Sequence, residues 1–130
     1  MNKDPQEEIR FNWGEARYFD LWALPHFLSG VGLAFFFLAM GGLRAFSYGL
    51  TLLILAGWEL LVEGPLGIRE VRENSILDVI IGFIGFVLAY EIGRLTLGME
   101  AIRALFVFDI IILSLLSLFG WFDFQKRSRG

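Results

Sequence analysis

The chain has 130 residues, 56% of them hydrophobic, 16% aromatic and only 19% charged, and its mean hydropathy is +0.63. Soluble domains average about 45–50% apolar and about 25% charged residues, so the composition excludes an ordinary water-soluble globule. A net charge of −3 speaks against nucleic acid as a partner, and the lack of cysteine removes disulfides, thiolate metal sites and cysteine nucleophiles.

In chain order, the first twenty residues are polar and acidic, unlike a signal peptide with its basic start. Asp4, Pro5 and Glu7 fit the N-cap, N1 and N3 positions of a helix. Ile9, Phe11, Trp13 and Tyr18 can rest that segment on a membrane surface, so the spacing predicts a short interfacial helix within residues 1–20. Four apolar stretches follow, at about 21–40, 46–62, 76–92 and 104–122. Each matches the roughly 17–25 residues that cross the hydrocarbon as a helix, the form in which a single segment satisfies its own backbone there. Gly41 and Gly42 break the first stretch from the second, residues 63–75 form the longest and most charged loop, and Gly93 and Gly98 bracket the last turn. Trp22, Trp58, Tyr90 and Trp121 fall near helix ends, where aromatic belts form. The expected fold is an all-α membrane protein: one domain of four transmembrane helices in an antiparallel bundle, preceded by the interfacial helix.

Four spans put both termini and the 63–75 loop on one side. That side carries Lys3, Arg10, Arg17, Arg69, Arg72, Lys126, Arg127 and Arg129, against Arg44, Arg94 and Arg103 on the other. The positive-inside rule then predicts a multi-pass protein of the inner (plasma) membrane with both termini cytoplasmic.

Ionisable groups inside a membrane are costly and mark candidate sites. Asp20 and His26 stand at the start of helix one, Glu59 and Glu63 share one face at the end of helix two, and Asp78 opens helix three. Arg69, Arg72, Glu73 and Asn74 belong to the loop between them. Three helices thus bring ionisable groups to one depth on the cytoplasmic side. His26, Glu59, Glu63 and Asp78 offer nitrogen and oxygen ligands for a divalent cation. The paired carboxylates can equally serve as a proton acceptor. With Arg69 or Arg72 the same pocket suits a lipid phosphate or another anionic head group.

Structural roles compete with these. Ser75 and Asp78 have capping-box spacing, Glu63 with Arg69 or Arg72 can be a solvated ion pair, and His26 can be a polar cross-helix contact. Asp109, in the outer half of helix four, either pairs with Arg94, Arg103 or Arg44 or stands alone as a proton-relay candidate. Glu91 with Arg94 and Glu100 with Arg103 have the spacing of local pairs. Gly82, Gly85 and Ala89, with Gly30 and Gly32 on helix one and Gly49 and Gly57 on helix two, form small-residue ridges for close packing or for a subunit interface.

Residues 20–92 resemble the VanZ-like family of small bacterial membrane proteins. The resemblance lies in His26-Phe27 opening a helix, in Glu59 followed four residues later by Glu63, and in the run Arg72, Ser75, Asp78, Gly82, Gly85 and Ala89. Asp20 matches an upstream Asp of a related group. Gly82 stands where the family has Asn, and Glu63 where Gln is common. The resemblance implies a shared polar cluster and an envelope-related role, glycopeptide resistance being associated with some members, but no established reaction.

No nucleophile elbow, phosphate loop, zinc-protease helix or dinucleotide fingerprint is present, which leaves enzyme activity undecided and names no cofactor beyond a divalent cation. The leading expectation is a membrane protein with a cytoplasm-facing acidic/His pocket for a cation or lipid head group. The alternatives are an accessory subunit of a larger membrane complex, and a small transporter that would work as a homo-oligomer.

Overall fold

The computed structural model describes residues 9–14, 16, 18–63 and 72–130. Its elements are α1 (Ala23–Met40), α2 (Arg44–Gly57) running directly into a π-helical segment (Trp58–Glu63), α3 (Arg72–Thr96) and α4 (Met99–Arg129). Among the described residues there is no β-strand, only an isolated bridge between Ile9 and Phe19. α1, α3 and, within α4, Met99–Arg127 are long and apolar enough to cross a membrane.

α1 stops where Gly41 turns left-handed at φ 66°, and the N–H groups of Gly41 and Gly42 return to Leu38 O and Phe37 O. Glycine adopts that conformation without a Cβ clash, and the paired bonds satisfy carbonyls that the helix end would leave open. The links Gly41–Leu43 and Leu97–Gly98 are too short for anything but reversal of direction. α1 packs chiefly on α3 and then on α4, while α2 packs mainly on α3. α1 and α3 run parallel, since Gly85, midway along α3, faces Phe27 near the start of α1, and Gly93, near the end of α3, faces Leu38 and Phe35 toward the end of α1.

The α1–α3 seam is built on glycine. A Cβ on Gly30 would fall 1.7 Å from Gly82 O, and one on Gly85 would fall 2.4 Å from Phe27 O. Backbones can approach so closely only where side chains are absent. Beyond the glycines the core turns aromatic: Phe86 and Tyr90 stack at 5.3 Å, with Tyr48 edge-on to both. Ala34, Phe37, Phe86 and Tyr90 are buried at its centre. Outward, Ile76, Ile80, Ile84, Leu88 and Ile92 form an exposed stripe at four-residue spacing on α3, and only 11% of the apolar window of α4 is buried. Such faces suit lipid rather than water.

Several boundaries differ from the sequence expectation. The described part of the segment expected to be an interfacial helix, residues 9–14, 16 and 18–20, is a non-helical loop, and residues 1–8 lie outside the described residues. Its side chains take up the backbone donors a helix would use: Asn12 Oδ1 accepts from Gly14 N–H, and Asp20 accepts from Ala16 and Trp22 N–H. The loop is fastened to the end of α4. Trp13 and Trp22 meet edge to face at 5.1 Å, both rings lie over Gly120, and Arg127 donates to Trp13 O. α3 begins at Arg72 rather than 76, and α4 spans 99–129 rather than 104–122, because hydropathy marks only the apolar part of a helix while charged helix formers extend beyond it. Glu73 and Glu100 sit in first turns, and Lys126, Arg127 and Arg129 in the last turn of α4, as the helix dipole favours.

Candidate metal centre

His26, Glu59 and Asp78 come from three elements and meet inside the bundle. His26 Nε2 lies 3.4 Å from Glu59 Oε1 and 3.3 Å from Asp78 Oδ2. The side chains are 10%, 5% and 2% exposed, so all three groups are withdrawn from bulk water. One ligand atom from each fits within 4.8 Å of the others.

Helical spacing makes this meeting possible. His26 lies one turn before Gly30, Asp78 one turn before Gly82, and Glu59 one turn after Leu55. Gly30 and Gly82 are the close approach of α1 and α3, and a Cβ on Gly82 would come within 3.1 Å of the Leu55 side chain. The seam sets the helix separation, and the next layer holds the three polar groups. Pro25 fits within the first turn of α1, where its missing N–H costs nothing. Glu59 enters from the π-helical segment, whose wider turn begins at Trp58. Single π turns inside α-helices recur at functional sites.

Ligand atoms around one ion at about 2.0–2.2 Å lie up to about 4.4 Å apart. His26 Nε2 is already within that span of both carboxylates. Two carboxylates and a neutral imidazole carry two negative charges between them, which a divalent ion neutralises. An N,O,O donor set suits the first-row transition ions Mn, Fe and Zn better than the all-oxygen preference of Ca or Mg.

The other candidates separate. Asp20 and Asn74, both buried, bind each other at 2.8 Å, and Asn74 Nδ2 also donates to Ala16 O at 2.8 Å. This pair lies one helical turn beyond Asp78 and ties the N-terminal loop to α3. Asn74, Glu73 and Arg72, expected in the loop, are the first turn of α3, with Arg72 exposed. Ser75 and Asp78 therefore stand inside the helix, and their capping-box role does not hold. The Glu63 side chain and Arg69 lie outside the described residues.

At the opposite end, Glu91 accepts from Tyr48 at 2.6 Å and pairs with Arg44 at 2.7 Å and Arg94 at 2.6 Å. The local Glu91–Arg94 pair was legible, whereas Tyr48 carries no local signal for its contact with a residue 43 positions away. Among the described residues, Asp109 pairs with no arginine. It is 4% exposed, and neither carboxylate oxygen has a hydrogen-bond partner among the described residues. No protein-family model, curated protein or solved structure matches the chain.

Proposed function

We propose that this chain is a four-span membrane protein that binds a divalent transition-metal ion through His26, Glu59 and Asp78. The observation that carries the reading is the convergence of these three ligand types, from three elements, in one buried layer. The fourth span is α2 with its π-helical continuation, twenty residues together, or about 30 Å. The basic residues favour cytoplasmic termini, so the cluster would open toward the cytoplasmic leaflet of the inner membrane. An envelope-related role follows from the resemblance to the VanZ-like family.

The test is elemental analysis of detergent-purified protein isolated without chelators, wild type beside Glu59→Gln. Stoichiometric metal in the wild type, lost in the variant, supports the reading. Metal-free wild type that copurifies with an anionic lipid would move the pocket to a head-group site. A second reading, an accessory subunit of a larger membrane complex, draws on the outward apolar face of α4. It predicts metal-free protein and loss of assembly from bulky substitutions on α4 rather than from Glu59→Gln.

A further inference from the structure

Asp109 is the one buried acid of α4, and its surroundings differ from those of the cluster. It lies beside Gly32, halfway along α1, where a Cβ on Gly32 would fall 2.5 Å from Asp109 Oδ2. The missing side chain at Gly32 is thus the notch that receives the carboxyl group. One turn away on α4 stand Leu105, Phe106, Ile112 and Leu113, all apolar. On α1 the only ionisable residue is His26, which belongs to the face turned toward α3. Gly30 faces α3 and Gly32 faces α4, so the cluster and Asp109 occupy opposite sides of α1, roughly 9 Å apart along its axis.

An isolated carboxylate in such surroundings is strongly disfavoured, and the group neutralises instead. A single carboxyl group cannot replace the hydration shell of a metal ion, but one proton needs no more. We infer that Asp109 is a membrane-embedded proton-binding site, held as the neutral acid in the Gly32 notch and separate from the cation cluster.

A membrane-soluble carbodiimide tests this on the full chain in phosphatidylethanolamine/phosphatidylglycerol vesicles. The acid transfers its proton to a carbodiimide nitrogen, its oxygen bonds to the central carbon, and an O-to-N acyl shift gives a stable N-acylurea with no leaving group. Peptide mass spectrometry then reads the adduct at Asp109. Asp123, on the same helix with its side chain 43% exposed, is the internal comparison. An ordinary aspartic acid loses about 100-fold of its protonated fraction between pH about 5 and about 7. Asp109 labelling is expected to fall no more than about tenfold over that interval, because the carboxyl group is enclosed at the Gly32 notch away from water. A water-soluble carbodiimide should leave it unmodified. Asp109→Asn should lose the adduct yet keep the metal content of the wild type, so this inference and the metal reading fail independently. Absent labelling, labelling that falls in parallel with Asp123, or equal reaction with the water-soluble reagent overturns it.

Discussion

Gly30 and Gly82 meet backbone to backbone, and no side chain fits between them: a Cβ on Gly30 would fall 1.7 Å from the Gly82 carbonyl oxygen. His26 and Asp78 stand one turn away on the same two helices, so the glycine contact fixes the distance across which the two groups face each other.

Replacing Gly30 by alanine sets two effects against each other. Helix propensity gains about 1 kcal/mol, but the overlap is with backbone, which no rotamer change relieves, and overpacking of this kind costs about 1–3 kcal/mol. The steric term wins. Gly30→Ala should lower the unfolding temperature in detergent and weaken divalent-ion binding at least about tenfold, the scale on which displaced supporting groups act. Unchanged affinity would detach the seam from the site.

Glu59→Gln and Asp78→Asn keep the shape of each side chain and remove a charged ligand. Each should weaken binding by more than the about 10–100-fold that loss of an outer-shell partner costs, while far-UV circular dichroism stays that of the wild type. Equilibrium dialysis against Mn²⁺ or Zn²⁺ measures it.

Asp20→Ala acts on stability. It removes the acceptor of the Ala16 and Trp22 N–H groups and one of the two acceptors of the Asn74 amide, a loss of about 3 kcal/mol. The folded fraction should keep its metal affinity within a few-fold, because Asp20 lies outside the cluster. Thermal unfolding followed beside metal binding separates the two.

At the other end, Glu91→Gln removes an ion-pair network in which Arg44 and Arg94 are largely exposed, at 60% and 43%. Exposed pairs contribute little. The variant should shift the unfolding temperature less than Asp20→Ala does, and the two can be compared in one melting experiment.

Much of this architecture was legible in the sequence, for a physical reason. A membrane penalises ionisable groups so heavily that Glu59, Asp78 and His26 stand out against their apolar neighbours, and their helix positions already bring them to one depth. The glycines of the seam stand out in the same way. Helix ends were less legible, since hydropathy marks only the apolar part of a helix, and Arg72–Asn74 read as loop although Glu73 and Asn74 suit a helix start. The loop around Ala16 has no local signal, because Asp20 accepts the N–H of Ala16 while Asn74, distant in sequence, donates to the Ala16 carbonyl and to Asp20. The π-helical entry of Glu59 has no compositional signature at all.

An ion held jointly by His26, Glu59 and Asp78 would have one possible imidazole ligand, because the chain contains a single histidine. Electron spin-echo envelope modulation of tag-free protein loaded with one equivalent of Mn²⁺ tests joint ligation, because any imidazole nitrogen coupled to the ion can only be that of His26. The expected result is a directly coordinated nitrogen that disappears in His26→Gln and in Glu59→Gln. Mn²⁺ that stays free, or that binds with no nitrogen coupling, would rule out joint ligation by the three residues.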